Sequence, residues 1–311
     1  MRKIIFNSKD RVRPIWRLFL FLILTFLINI PLQLILQQLL DQSLLRGYIS
    51  ASMYLISVVF SLFIDIKFLD KSSFKKYGLK INKIWLQEFL MGAIIPVVQL
   101  SIFFFVLYST DNLKVIDFFT TNSANYSFDY SFWAGFFSEI FGLIIGSTVE
   151  EIFFRAFIFY IAYEAFQVVK KDAVKRAILI VVIIAPLFGI AHMGNEGATT
   201  ISTTNLGIDA IVMCLPFLIT GRLGMSIGMH FSWNLVEGAI LGFAVSGNVA
   251  KSSIISVEMP NNLLTGGVFG PEGSIIFILL DVVAIALILY WKRIKNYNSL
   301  VNPYIIENDI K

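Results

Sequence analysis

The sequence is poor in charged residues, histidine and cysteine. Charged residues make up 15% of the 311 positions and hydrophobic residues 57%, against about 25% and about 45–50% in ordinary soluble domains. This balance excludes an ordinary soluble domain and indicates a polytopic membrane protein. The single cysteine, Cys214, excludes an internal disulfide and any metal cluster of several thiolates, because both need at least two cysteines. The only two histidines, His192 and His230, lie within or at the end of apolar stretches.

Long apolar runs predict the architecture. A helix needs about 20 apolar residues to cross a bilayer, and the chain has eight runs of about that length. The predicted spans are 16–39, 48–66, 86–109, 132–160, 174–192, 204–221, 224–246 and 273–291. We therefore expect an all-α polytopic membrane protein of about eight transmembrane helices.

Basic residues are concentrated in alternate connections between these spans. They cluster before the first span, after the eighth, and in the loops Lys67–Lys83 and Lys170–Arg176. Cytoplasmic loops are enriched in lysine and arginine, so we expect both termini and both loops to face the cytoplasm. The polar stretches Asp111–Asp129 and Gly247–Gly273 are then extracytoplasmic loops. The first span lacks a small-residue cleavage site, and we expect it to be retained rather than removed as a signal peptide.

The fourth span carries three charged residues where burial is most costly. A charge at the centre of a membrane helix costs roughly 2.5–3.5 kcal/mol on insertion scales, and such residues often mark a site. Glu151 and Arg155 are four residues apart on one helix face, so they can form an ion pair. Glu150 lies about 100° around the helix, and its neighbours one turn on are Phe153 and Phe154. A desolvated carboxylate without a stacked cation suits a general base, although a structural Glu–Arg pair explains the segment equally well.

Each histidine has a partner four residues away. Phe188 precedes His192 by one turn and can wall its imidazole ring, while Gly189 allows a neighbouring helix to approach closely. His230 and Asn234 share one helix face, and two hydrogen-bond donors placed in this way can bind one developing oxyanion. Ordinary hydrogen bonding between membrane helices produces the same patterns.

Taken together, these segments resemble the CAAX protease and bacteriocin-processing family of intramembrane proteases (CPBP, also called ABI), which includes enzymes of the CAAX prenyl protease 2 type. The family motifs EExxxR, FxxxH and HxxxN correspond to Glu150–Arg155, Phe188–His192 and His230–Asn234. The three motifs occur in order, on separate predicted spans, and use both histidines of the chain. The resemblance covers about residues 132–247.

The resemblance implies an intramembrane endopeptidase that cleaves a peptide or membrane-protein substrate. Glu150 with His192 would activate a water molecule, and His230 with Asn234 would bind the oxyanion of the tetrahedral intermediate. The residues expected to support this site are Glu151, Arg155 and Phe188.

The same resemblance divides the chain into regions. Residues 132–247 would form the protease core, residues 1–131 an N-terminal membrane region of three helices, and residues 248–311 an extracytoplasmic loop, the last transmembrane helix and a cytoplasmic tail. The expected partners are the substrate and the lipid bilayer, with no nucleic acid. We expect a multi-pass protein of the cell membrane, bacterial by resemblance.

Two points stay open at the level of sequence. A metal-free glutamate mechanism is favoured because no HExxH motif is present, but a zinc site with Glu150, His192 and His230 as ligands is the alternative. The function also has rivals: a non-catalytic membrane scaffold or immunity protein of the same fold, and a transporter. Transporters usually consist of repeated halves, and no such repeat is evident in this sequence.

Overall fold

The computed structural model describes residues 2–7, 9–125, 128–168 and 172–307. Within these ranges the chain is a bundle of apolar helices, which confirms the all-α polytopic membrane fold. The helices are α1 (Arg2–Ile5), α2 (Pro14–Leu39), α3 (Leu44–Ile64), α4 (Lys83–Ser109), α5 (Phe132–Glu151), α6 (Phe159–Ala165), α7 (Ala173–Ala191), α8 (Thr200–Thr220), α9 (Gly224–Asn234), α10 (Phe277–Ile294) and α11 (Pro303–Glu307).

Six helical stretches in the described part of the chain are long and apolar enough to cross a membrane. They are Pro14–Leu39, Leu44–Leu69, Lys83–Ser109, Phe132–Ala165, Ala173–Ala191 and Thr200–Thr220. These stretches correspond to the first six predicted spans. The predicted span 224–246 corresponds to α9 with the turn that follows it, and the predicted span 273–291 to α10, which has 18 residues and carries Asp281, Lys292 and Arg293. The helical winding that begins with α9 ends at Ile240 rather than at residue 246, and Gly242 then takes a φ of 71°, a conformation that ends helices.

Three of the described helices continue into a widened π-helical turn. These turns are Asp65–Leu69, Ile152–Ile158 and Leu235–Ile240. π turns interrupt the regular helical period and are frequent at functional sites. The second follows Glu151 directly and the third follows Asn234 directly, so two of the sequence motifs lie where the helix changes its winding.

The two stretches predicted as extracytoplasmic loops pair with each other, which the sequence analysis did not predict. β1 (Lys114–Thr121) and β2 (Ser252–Glu258) form an antiparallel two-stranded sheet. The residue before β2, Lys251, is tied to the first turns of α5 because its Nζ lies 3.0 Å from Oε2 of Glu139. The Tyr130 hydroxyl also donates to the Lys251 carbonyl at 2.8 Å. The sheet is thereby anchored at the N-terminal end of α5.

Glycine residues bring the helices of the sequence motifs into backbone contact. A Cβ atom added to Gly189 of α7 would collide with the carbonyl oxygen of Thr203 in α8. A Cβ at Gly228 of α9 would collide with the carbonyl oxygen of Phe89 in α4. Small residues allow this close approach of membrane helices. The contacts confirm the expected role of Gly189 and fix the helices that carry the two histidines.

A cluster of buried charges lies at the other end of the α5–α6 stretch. Arg17 of α2 is fully buried and lies 2.9 Å from Asp65, 3.0 Å from Asp70 and 2.7 Å from Glu164. Lys76 contacts Asp70 and Glu164 at 3.0 Å and 2.6 Å. Burial opposes ionisation of Asp70, but Arg17 and Lys76 outweigh it and hold the pKa of this carboxyl below its ordinary value. The cluster joins α2, the end of α3, α6 and the loop that follows α3.

Parts of three predicted features fall outside the described residues. They are residues 126–127 of the first polar stretch, Lys170 and Lys171 of the loop after the fourth span, and the tail from residue 308 to Lys311. The loop is described again from Asp172, whose side chain accepts hydrogen bonds from the first backbone amides of α7.

Candidate active site

The residues predicted to be catalytic converge on one cavity. The cavity has a volume of about 480 Å³ and lies between α5, α7, α8, α9 and the loop before β2. Its wall includes the four predicted catalytic residues, namely Glu150, His192, His230 and Asn234. Phe188 and Arg155 also line it. Three separate helices therefore bring their motif side chains to one space.

Glu150 is the carboxylate that opens to the cavity. Its side chain is 36% exposed, whereas that of Glu151 is 0% exposed. Oε2 of Glu150 lies 3.8 Å from Nε2 of His230 and has no hydrogen-bond partner among the described residues. Because 36% of the Glu150 side chain is exposed and lines the cavity, a water molecule or a substrate atom can reach this residue from the cavity.

Glu151 is the carboxylate engaged by the protein. Its Oε1 lies 3.2 Å from Nη1 of Arg155, the ion pair that the spacing of the two residues predicts. The same oxygen lies 2.8 Å from Nδ1 of His230, a contact that the sequence analysis did not predict. An ionised carboxylate only accepts hydrogen bonds, so Nδ1 of His230 carries a proton and Nε2 is the nitrogen that faces Glu150. Glu151 thus fixes the orientation of the His230 ring.

One aromatic ring contacts both histidines. The centroid of the Phe188 ring lies 4.8 Å from that of His192 and 5.9 Å from that of His230. The guanidinium carbon of Arg155 lies 4.3 Å from the Phe188 centroid, which is a cation–π distance. Phe188 therefore packs against His192, as the spacing predicts, and also against the partners of Glu151.

His192 follows the last turn of α7 and has a defined tautomer. Its Nδ1 lies 2.8 Å from the carbonyl oxygen of Phe188. Because a carbonyl oxygen only accepts, Nδ1 carries the proton, and Nε2 of the neutral ring is left as an acceptor. His192 and Glu150 line the same cavity. However, the histidine that lies within 4.0 Å of the Glu150 carboxylate is His230, and not His192, its predicted partner.

The sequence left a three-ligand zinc site as the alternative to a metal-free site. Zinc sites in enzymes typically use three protein ligands and keep one position open for water. Among the described residues, no three Asp, Glu, His or Cys side chains are grouped so that they could hold a metal ion. Glu150, His192 and His230 line one cavity without forming such a group.

Three further carboxylates of the cavity wall were not predicted from the sequence, namely Glu139, Asp209 and Glu272. Glu139 lies in α5, inside the fourth predicted span. Asp209 is 9% exposed and lies in α8, inside the sixth predicted span. A charge within an apolar run drew attention to Glu150, and the same criterion would have found Asp209. Glu272 is 2% exposed and accepts a hydrogen bond from Ser246 at 3.0 Å. It lies outside the apolar runs, where the sequence offers no comparable indication.

Comparison with known proteins shows a family match for the helices that carry the three motifs. Residues 131–236 match the family model described as type II CAAX prenyl endopeptidase Rce1-like. These residues form a domain of the CAAX protease and bacteriocin-processing family. No curated protein and no solved structure matches the chain.

The CAAX-protease domain contains all three motifs. It begins one residue before α5 and ends in the π turn after α9, so it includes the helices that carry Glu150, His192 and His230. The apolar helices before it and within it show a multi-pass membrane protein, of which residues 131–236 are similar to an endopeptidase family.

Glu151→Gln should destabilise the protein because it leaves Arg155 buried without a counter-charge. Removing one partner of a buried ion pair costs about 3–5 kcal/mol, so we expect the thermal unfolding midpoint in detergent to fall by several degrees. Glu258→Gln, at an exposed position in β2, is the carboxylate-to-amide control, since exposed charges contribute only about 0–1 kcal/mol. Equal midpoints for the two variants would show that Glu151 does not stabilise Arg155.

Proposed function

We propose that the protein is an intramembrane endopeptidase that hydrolyses a peptide bond with water activated by Glu150. The observation that carries this proposal is the contrast between two adjacent carboxylates. Oε1 of Glu151 contacts His230 and Arg155 and its side chain is 0% exposed, whereas the Glu150 side chain is 36% exposed toward the cavity. A general base needs a carboxylate within reach of the proton that it removes. The match to an endopeptidase family supports the same class of reaction.

In the proposed reaction, Glu150 removes a proton from a water molecule held in the cavity. His192 accepts the second hydrogen of this water at Nε2 and so fixes its position. The water oxygen forms a bond to the carbonyl carbon of the substrate, and the carbonyl electron pair moves to its oxygen. When this tetrahedral intermediate collapses, the C–N bond breaks and Glu150 returns its proton to the leaving nitrogen.

The oxyanion of the intermediate needs hydrogen-bond donors, and His230 and Asn234 lie on one face of α9 toward the cavity. The Asn234 side-chain amide would donate one hydrogen bond and Nε2 of His230 the other. Because Nδ1 of His230 already donates to Glu151, donation from Nε2 requires a ring with both protons. The carboxylates of Glu150 and Glu151 would be the counter-charges of this imidazolium. Loss of one oxyanion donor typically lowers kcat about 10²- to 10³-fold.

We propose a metal-free reaction, because Glu150 can act on water directly and the three candidate ligands are not grouped as a metal site within the described residues. A resident zinc ion would instead supply a Lewis acid and a water of lowered pKa. The metal content of the purified protein distinguishes the two mechanisms.

We further propose that the cavity opens toward the extracytoplasmic side and that both termini are cytoplasmic. Glu139 and the loop before β2 line the outer part of the cavity, close to the sheet. The basic loop after α3 belongs to the opposite end of the bundle, where Lys76 contacts Glu164 of α6. Cytoplasmic loops are rich in lysine and arginine, so the end of the bundle with this basic loop would be cytoplasmic and the end with the cavity mouth extracytoplasmic. The substrate, a peptide or a membrane-protein segment, would then enter from the outer half of the bilayer.

Glu150→Gln, His192→Ala and His230→Ala should each abolish cleavage, because each removes a group that acts on the water or on the transition state. Asn234→Ala should retain weak activity, since His230 still donates to the oxyanion. The assay incubates the purified protein with peptides from membrane-protein segments and identifies the products by mass spectrometry. Glu258→Gln, at an exposed position in β2, is the control for a carboxylate-to-amide change and should cleave like the wild type.

Two results would contradict this proposal. Full activity of folded Glu150→Gln would place the general base elsewhere. A wild type that binds peptides and cleaves none would favour the non-catalytic scaffold or immunity protein of the same fold.

The same preparations test whether the reaction needs a metal ion. We expect far less than one equivalent of zinc by elemental analysis and unchanged activity after prolonged chelation. Stoichiometric zinc that is absent from His192→Ala, with zinc-dependent recovery of the chelated enzyme, would overturn the metal-free mechanism.

The orientation can be tested with single cysteines in a Cys214→Ser background, since Cys214 is the only cysteine. Lys80→Cys should react with a membrane-impermeant thiol reagent only after the cells are permeabilised, because its loop would be cytoplasmic. Lys80 is exposed, whereas Lys76 is only 3% exposed and would report poorly. Leu263→Cys, 60% exposed and on the side of the sheet, should react in intact cells. The reverse pattern would invert the proposed topology.

A further inference from the structure

One face of α5 is unusually bare where it lines the cavity. The residues of α5 in the cavity wall follow helical spacing, and they are Glu139, Gly142, Leu143, Gly146, Ser147 and Glu150. Gly142 and Gly146 thus lie between the carboxylate of Glu150 and the outer end of the cavity at Glu139. With a rise of about 1.5 Å per residue, this face is about 16 Å long.

Helix packing does not explain these two glycines. A Cβ atom added to Gly142 or Gly146 would meet no atom of the described protein within 4 Å. Gly135 on the same helix is different, because a Cβ there would collide with Ser252 and Tyr130. Glycine is among the least favourable residues in a helix interior. The chain therefore carries two helix-weakening residues at positions where the protein itself has room for a side chain.

A polar side chain next to these glycines also lacks a partner. Ser147 is 1% exposed, lines the same cavity, and its Oγ has no hydrogen-bond partner among the described residues. Buried hydroxyl groups are normally hydrogen-bonded, so an unpaired one in a cavity wall points to a missing ligand. A peptide group that lies on the bare face of α5 would supply both an acceptor and a donor.

We propose that an extended segment of the substrate lies directly on the backbone of Gly142 and Gly146, from the scissile bond at Glu150 toward Glu139, with Ser147 hydrogen-bonded to its backbone. This inference rests on the proposed endopeptidase function and names the residues that determine its substrate fit. Gly146 and Gly142 are four and eight residues from Glu150, or about 6 Å and about 12 Å along the helix. An extended peptide advances about 3.3 Å per residue. Gly146 therefore faces about the second substrate residue beyond the scissile bond, and Gly142 about the fourth.

Alanine variants separate substrate fit from folding. Gly146→Ala and Gly142→Ala should raise the thermal unfolding midpoint by about 1–3 °C, because alanine favours the helix and its Cβ enters empty space. Both should nevertheless lower kcat/KM for long peptides, by roughly tenfold or more, because the added methyl group lifts the substrate from the catalytic groups. Gly47→Ala is the matched control. Gly47 is an exposed glycine within α3, a Cβ added there would also meet no atom of the described residues within 4 Å, and it does not line the cavity. It should gain stability without loss of activity.

Peptide length provides a second readout. In a series shortened one residue at a time from either end, the ratio of cleavage of long to short peptides should fall in both cavity variants. Gly146→Ala should discriminate against peptides with two or more residues beyond the scissile bond on one side, and Gly142→Ala only against those with about four or more. An equal loss for peptides of every length, or no loss at all, would overturn the inference while leaving the proposed function intact.

A binding measurement keeps the inference testable if no turnover is found. Gly146→Cys and Gly47→Cys are made in a Cys214→Ser, Glu150→Gln background, and the rate of alkylation is measured with and without a long peptide. We expect the peptide to slow alkylation at position 146 at least severalfold and not at position 47. Protection without cleavage by the wild type would refute the proposed function and support the binding face. Cleavage by the wild type without protection would refute the binding face alone.

Discussion

The site depends on one buried carboxylate, that of Glu151. In the membrane interior little water is present to solvate a charge, so the Arg155 guanidinium needs a counter-charge within the protein. Glu151 provides it at 3.2 Å and also orients His230 through a 2.8 Å hydrogen bond that joins α5 to α9. Arg155 in turn packs over Phe188, which contacts both histidines. Glu151 thus contacts Arg155 and His230 inside the protein, while its neighbour Glu150 lines the cavity. The division of work between two adjacent carboxylates follows from their positions about 100° apart on the helix.

Features that lie within one helix could be predicted from the sequence. Apolar runs predicted the helices because chain length and hydropathy alone decide whether a segment can cross a bilayer. The first six runs agree with the long helices of the structure. The spacing of four residues predicted the Glu151–Arg155 pair and the contact of Phe188 with His192, since residues one turn apart are neighbours on any helix. The match of residues 131–236 to an endopeptidase family agrees with the resemblance carried by the three motifs.

Contacts between residues that are far apart in the sequence could not be predicted from it. The hydrogen bond from His230 to Glu151 depends on how α5 and α9 pack, and hydropathy carries no information about that. The pairing of β1 with β2 links two polar stretches that each resemble a loop when taken alone. The π turns after Glu151 and Asn234 depend on tertiary packing, because their residues are equally compatible with a regular helix. The sequence also did not distinguish Gly142 and Gly146 from other helical glycines. Only the structure shows whether a glycine lies at a helix contact or faces a cavity.

The most direct test of this account is the protonation of His230, observed by NMR of protein labelled with ¹⁵N-histidine. The chain has only two histidines, so two imidazole spin systems are expected, and a His192→Gln variant assigns them. The account predicts that Nδ1 of His230 carries a proton in a charge-assisted hydrogen bond, and that Glu151→Gln moves this resonance upfield as the bond becomes a weaker neutral one. A His230 ring without a proton on Nδ1, or a spectrum that Glu151→Gln leaves unchanged, would contradict it. In that case Glu151 would not orient His230, and the roles of the two carboxylates would have to be assigned anew.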